Sequence, residues 1–276
     1  MCKLKKRYAL AMVSLSILPV ISAQAEIQLS GEIKQGGLVI GKTEANNRVT
    51  LNKTVLTVSK QGDYVFAFSR DDKTQYTLTI TSPTGKIETQ TFTPSTRDYK
   101  ISRVEGISKK IMNPNKKANV RAGEDRAAIV KVRKISSNLT DFSQGFIAPR
   151  SSSITGVYGS QRFYNGVPKN PHFGVDYAGQ IGAPVKAPAS GTVLLWVPDM
   201  FYSGGTLVID HGHGITSNFL HLSASMVKVG DKVKQGQVIA KVGNSGRVTG
   251  PHLDWRMNWH QVRFDPQLAM KVSALK

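Results

Sequence analysis

In the stretch Gly250-Pro251-His252-Leu253-Asp254-Trp255, polar and apolar side chains alternate with the period of a β-strand. Residues two apart share a face, so His252 and Asp254 project together while Leu253 and Trp255 pack on the other side. Glycine-bounded β-runs of similar length surround it: Gly191 to Val197, Thr206 to Asp210, Ser217 to Leu222, Val238 to Val242 and Leu253 to Met257. All six histidines of the chain lie between His172 and His260, inside this β-rich half. An all-β segment that collects every histidine points to a site.

A second polar pair occurs in Pro171-His172-Phe173-Gly174-Val175-Asp176, with a His and an Asp four residues apart. Taken alone, that spacing fits a surface pair in a loop as well as a ligand pair. A third element, Asn218-Phe219-Leu220-His221-Leu222, sets a His inside an apolar strand pattern. An imidazole buried there without a partner would cost stability, so His221 is expected to face a polar pocket. Together these residues offer neutral nitrogen donors, hard carboxylate oxygens and spare histidines for proton handling. Three protein ligands and one open position is the arrangement that zinc hydrolysis needs. His211 and His213 fall in a Gly-rich turn after a strand and are expected to be structural or to border a substrate. His260, after Trp259, is expected to be exposed and without chemical duty.

Upstream, short alternating runs follow one another: Val49 to Leu51, Thr54 to Val58, Tyr64 to Phe68, Tyr76 to Thr81 and Ile87 to Phe92. Turn signals such as Gln61-Gly62-Asp63 and Ser82-Pro83-Thr84-Gly85 separate them, the pattern of a small antiparallel β-sandwich. The fold class expected is therefore mainly β: an N-terminal sandwich (26–102), a basic and partly helical connector (103–145), and a C-terminal antiparallel β-sheet domain (146–276). Within the connector, Lys109, Lys110, Lys116, Lys117, Arg121, Arg126, Lys131, Arg133 and Lys134 outnumber Glu105, Glu124 and Asp125. It reads either as a plain linker or as a helix that docks on the C-terminal domain or on an anionic surface.

Lys3, Lys5, Lys6 and Arg7 precede an apolar stretch from Ala9 to Ile21 and the small-x-small site Ala23-Gln24-Ala25, so residues 1–25 read as a cleaved signal peptide. No transmembrane segment is then expected in the mature chain. The one cysteine, Cys2, lies in that signal. Disulfides and thiolate metal ligands are thereby excluded from the mature protein, and any zinc site must use nitrogen and oxygen. The formal charge of +19 includes four positive charges in the signal, leaving +15 on the rest. Such an excess favours polyanions. An exported protein meets anionic envelope surfaces more readily than nucleic acid, and the chain carries no nucleic-acid motif.

Residues from about 146 to 268 resemble the lysostaphin and LytM-like zinc cell-wall endopeptidases, peptidase family M23. The resemblance is carried by His172-Phe173-Gly174-Val175-Asp176, Gly182-Ala183-Pro184-Val185, Ile209-Asp210-His211-Gly212-His213-Gly214, Leu220-His221-Leu222-Ser223, Val229-Gly230-Asp231-Lys232-Val233 and Gly246 to Leu253, in that order. It implies one Zn²⁺ per chain held by His172 and Asp176, with Asp254 as third ligand, and His221 and His252 as the unligated catalytic pair. It also implies peptidoglycan stem peptides or cross-links as substrate, and the periplasm or cell wall of a Gram-negative bacterium as location. Tyr202 and Asn165 lie in loops that could line the substrate groove. The family's usual pattern is His-x-His, and here the second position is Asp254. A His/Asp/Asp set formally neutralises the ion, from which a less acidic bound water and tolerance of harder ions such as Mn²⁺ are expected. The substitution also admits an alternative, a weakly active or inactive wall-binding module that regulates another cell-wall hydrolase.

Overall fold

The structure is a computed structural model that describes residues 27–106, 112, 113 and 115–275. The signal-peptide expectation for residues 1–25 lies outside the described residues. None of the described helices is long and apolar enough to cross a membrane. The chain is mainly β, as its alternating runs imply.

Near the N-terminus two antiparallel sheets face each other. One has the strand order Gln28–Ser30, Leu38–Lys42, Asp63–Ala67, and the other Thr54–Leu56, Arg48–Leu51, Tyr76–Thr81, Ile87–Phe92. Val39, Leu51, Tyr64, Phe66, Leu78 and Ile80 fill the space between them. In Tyr76–Thr81 the alternation is plain, with Leu78 and Ile80 inward. In Asp63–Ala67 every residue is buried. The reason is that the sheet is covered on both faces: Tyr64 and Phe66 enter the sandwich core, while Val65 and Ala67, with Leu38 and Ile40, join the core of the C-terminal half. The Arg97–Asp265 ion pair, 2.9 Å, ties the same two parts together at a carboxylate that is 2% exposed.

The C-terminal half is built on a ten-stranded sheet. Its main path runs Lys232–Val233, Gly191–Met200, Gly204–Gly212, Ile215–Ser225, His252–Trp259, Val175–Ala178, Ile154–Gly156, and every pairing in it is antiparallel. Val175, Phe219, Leu222, Leu253 and Trp255 are fully or almost fully buried in its core. Phe219 and Leu222 are three residues apart, a spacing that a regular strand would send to opposite faces. A register shift resolves this: Phe219 pairs with Leu207 and Leu222 with Gly205, so Leu220 and His221 together oppose one residue. His221 absorbs the bulge at φ 63°, a conformation costly for a non-glycine residue.

The basic stretch contains the helix Lys116–Val132, capped by the Asn115 side chain, which accepts the Ala118 N–H at 2.9 Å. This helix docks on the C-terminal half. Arg121 pairs with Asp199, Asp125 accepts the Phe201 N–H at 2.7 Å, and the Gln261 side chain donates to the Val130 carbonyl. Just before it, Ile101–Val104 pairs in parallel with Gln161–Tyr164, so chain on either side of the basic stretch shares one small sheet.

The doubly covered sheet has a measurable consequence. All three tryptophans, Trp196, Trp255 and Trp259, lie in the C-terminal half. Ile40→Ala should cost about 2–5 kcal/mol, and the tryptophan emission midpoint in urea should fall with it although the mutation lies in the other half. An unchanged midpoint would show that the two halves unfold independently.

Candidate metal centre

His172 leaves its loop toward the sheet because both of its backbone groups are tied down. Its N–H donates to the Ser160 carbonyl at 2.9 Å and its carbonyl accepts the Gly159 N–H at 2.7 Å. Four residues later Asp176 sits in the strand Val175–Ala178, whose register places it directly opposite Asp254 of His252–Trp259. Two carboxylates facing each other across a strand pair repel unless a cation lies between or beside them. The ligand atoms of His172, Asp176 and Asp254 all fall within 4.8 Å of one another, and all three residues are buried. Among the described residues this is where three potential ligands of this kind converge.

The polar atoms here are arranged for a partner that is not protein. His172 Nε2 and Asp176 Oδ1 approach to 3.0 Å, yet neither they nor His172 Nδ1 makes a hydrogen bond among the described residues, though all three are shielded from solvent. Buried polar atoms without partners are rare and costly, and a cation between them would satisfy them. The residues therefore fit a metal ion with nitrogen and oxygen ligands. His252 Nε2 lies 3.9 Å from the same Asp176 oxygen.

Arginines occupy the outer side of both carboxylates. Arg162 reaches Asp176 Oδ2 at 3.1 Å, leaving Oδ1 for the metal position. Arg256 Nε lies 3.0 Å from each oxygen of Asp254, and its Nη2 also contacts Oδ2. Burial alone would raise the Asp254 carboxyl, but the Arg256 guanidinium and then His172 outweigh it and hold the group well below the usual carboxylate range. Asp254 is thus an anion whose charge is already shared with a guanidinium.

His221 and His252 face each other with ring centroids 4.8 Å apart. His221 Nδ1 lies 2.8 Å from the Ser245 carbonyl, and His252 Nδ1 lies 2.9 Å from the Gly250 carbonyl. A carbonyl only accepts, so Nδ1 must carry the proton in each ring, and a neutral ring then presents a bare Nε2. Burial pulls the His221 imidazole down to about 4, which keeps it neutral near pH 7.

All five residues line one open cavity of about 980 Å³. Tyr202 also lines it, and Arg247 stacks its guanidinium 4.7 Å from the Tyr202 ring centroid. Asn165 sits at the turn between Gln161–Tyr164 and Val167–Pro168 at φ 50°, outside the set of cavity-lining residues. His211 is fully buried, its Nδ1 at the Ser190 carbonyl and its Nε2 at Ser217 Oγ, and His213 packs against Phe142. His260 was expected to be exposed and is instead half-buried, because its φ of 47° turns the ring back over Gly214. Sequence reasoning missed Arg162 and Arg256. Arg256 carried a signal, since two residues after Asp254 on a strand it shares that residue's face.

Comparison with known proteins places this geometry. Residues 170–266 match the description Peptidase family M23. Over 103 residues the chain is 44% identical to peptidoglycan DD-endopeptidase ShyA of Vibrio cholerae, covering 37% of this chain and 23% of that one. Over 100 residues it is 36% identical to lysostaphin of Staphylococcus simulans, covering 36% and 20%. The chain thus spans about a quarter or less of the length of these curated relatives. A solved Pseudomonas aeruginosa structure assigned to peptidase M23 superposes with a TM-score of 0.65 at 26% identity, covering 87% of this chain and 96% of that one.

The glycine of the first ligand motif gives a test. A Cβ at Gly174 would overlap Asp254 Oδ1 and crowd the Trp255 carbonyl. Gly174→Ala should therefore weaken Zn²⁺ binding by about tenfold or more in equilibrium dialysis, with the circular dichroism spectrum retained. Wild-type affinity in that variant would remove Asp254 from the metal's reach.

Proposed function

From the match of residues 170–266 to peptidase family M23, we propose that this chain is an exported zinc-dependent endopeptidase hydrolysing amide bonds in peptidoglycan stem peptides or cross-links. The observation that carries the proposal is the convergence of buried His172 and Asp176 ligand atoms, without hydrogen bonds among the described residues, with Asp254, beside two histidines anchored through Nδ1. The name of the Vibrio cholerae relative, a peptidoglycan DD-endopeptidase, supports peptidoglycan as the substrate. The basic n-region and apolar stretch of residues 1–25 support export, in a Gram-negative cell to the periplasm.

His172, Asp176 and Asp254 would hold the ion, and when bound it would supply an acidified water and polarise the scissile carbonyl. The chain's own residues handle the protons. Neutral His221, with Nδ1–H anchored on Ser245, accepts a proton at Nε2 from the attacking water. His252, anchored on Gly250, offers the same acceptor on the other side of the cleft. Once protonated, either ring can donate from Nε2 to the developing oxyanion or to the leaving amine. The positive-φ bulge at His221 rigidly fixes the direction of that nitrogen.

Arg256 changes the expectation of a weakened ion. Asp254 brings a negative charge and the Arg256 guanidinium at its oxygens offsets it, so the pair adds no net charge, as a neutral imidazole would add none. Aspartate and arginine together stand in for the usual imidazole, which supports the enzyme reading over a module that has lost its metal.

Purified protein should cleave cross-linked muropeptides, lose that activity in chelator and regain it with Zn²⁺. About one zinc per chain should be found by elemental analysis. No cleavage under any metal supplement would overturn the enzyme reading, and no metal affinity would favour the regulatory module. His221→Ala should keep its zinc and lose about 10²- to 10⁴-fold in kcat.

Asp254 and Arg256 should behave as a unit. Asp254→Ala should abolish zinc binding. Asp254→His alone leaves the Arg256 guanidinium without its carboxylate beside the ion, so it should bind zinc more weakly than Asp254→His combined with Arg256→Gln. Equal affinities would show that Arg256 does not act on the site.

A further inference from the structure

We propose that the cavity beneath the helix Lys116–Val132 is a second binding site, for an organic carboxylate with an apolar body. This cavity, of about 780 Å³, lies behind the metal centre, and Tyr202, Ser203, Leu220 and Arg256 line both spaces. Nothing in the proposed peptidase chemistry uses it.

Its charge is one-sided. Five arginines line it, Arg70, Arg126, Arg133, Arg256 and Arg263, against one carboxylate, Asp125. Arg70 pairs with Asp71 and Arg256 with Asp254, while Asp125 accepts the Phe201 N–H. Arg126, Arg133 and Arg263 have no ion-pair partner among the described residues. Arg263 spreads its guanidinium over the Phe173 ring, 4.6 Å from its centroid.

Arg133 is the decisive residue. It is only 7% exposed, its Nη2 reaches Asn218 Oδ1 at 3.3 Å, and its buried Nε has no hydrogen-bond partner among the described residues. Burial, then the positive charges of Arg263 and Arg256, pull this guanidinium down to about 9. A buried cation among like charges destabilises the fold it sits in. An anion in the cavity would relieve that cost, and the planar guanidinium fork matches a carboxylate through two parallel bonds. The remaining walls, among them Ile129, Phe173, Met200 and Val262, are apolar and suit a hydrocarbon body more than a bare inorganic anion.

Benzoate, with benzamide as its uncharged isostere and inorganic phosphate as an anion without an apolar body, tests the site by calorimetry on the metal-free full chain. The metal-free protein keeps this experiment independent of the peptidase reading, since a protein without any peptidase activity can still bind benzoate here. Benzoate should bind about tenfold or more tightly than benzamide or phosphate. In Arg133→Met, benzoate binding should weaken by about tenfold or more, while the melting temperature without ligand stays level or rises, because an unpaired buried charge has been removed. Arg263→Gln supplies a second variant with the same expected loss of benzoate binding. Failure of benzoate to bind, parity with benzamide, or phosphate binding as tightly would overturn the proposal. So would a fall in the melting temperature of Arg133→Met with benzoate affinity unchanged, since Arg133 would then be a purely structural contact to Asn218.

Discussion

Two carboxylates, Asp176 and Asp254, stand directly opposite each other across an antiparallel strand pair in a buried region. In isolation that arrangement is repulsive, and burial strengthens the repulsion because water no longer screens it. The surroundings answer it from several sides. Arg162 and Arg256 each take the carboxylate nearest them, and His172 brings a ring nitrogen to 3.0 Å of Asp176. What is left between them is a position where Asp176 Oδ1 and the His172 nitrogens have no hydrogen-bond partner among the described residues. The centre is stable as a whole only if positive charge stays close, and much of the neighbouring architecture can be understood as keeping it there.

Strand register is the means. Tyr177 faces Leu253 and Val175 faces Trp255 in the same pair that opposes Asp176 to Asp254, and all four apolar partners are buried. A slip of one residue would move Leu253 into the polar cleft and Asp254 into the core, a double cost that fixes the pairing. The bulge at Leu220 and His221 does the complementary task on the neighbouring strand. It lets Phe219 and Leu222 both enter the core while turning His221 toward the cleft. Core packing and site geometry are thus set by the same hydrogen-bond ladders, and the strained backbone of His221 is held by the strands that flank it.

How much of this was legible in the sequence depended on whether the relevant physics was local. Period-2 alternation in residues 252–255, the His172/Asp176 spacing and a histidine within the apolar run 218–222 brought forward the five residues that the fold gathers in one cavity. The run Tyr64 to Phe68 announced a strand, but alternation carries no information on what covers its second face, and the sharing of that sheet by both cores emerged only in three dimensions. The basic stretch read more readily as a plain linker than as a docked helix, because the contacts that dock it, Arg121 to Asp199 and Asp125 to Phe201, join residues far apart in the chain. Arg162 was invisible for the same reason. His260 was misjudged because exposure near a domain end was assumed, whereas a single positive φ turned its ring inward.

Arg256 is the instructive intermediate case. Its position, two residues beyond Asp254, placed it on the right face, yet a charged residue on a strand most often faces solvent, and only the structure bonds it to both oxygens of a buried carboxylate. The aspartate alone reads as the loss of a neutral ligand and a weakening of the ion. The aspartate with its arginine is an ion pair of no net charge, set within ligand distance of His172 and Asp176. Asp254 and Arg256 make physical sense together: a buried Asp254 without Arg256 would add to the repulsion from Asp176, and a buried Arg256 without Asp254 would be an unpaired cation. A position that looks degenerate by itself can keep the electrostatics of a site through a neighbour on the same face of its strand.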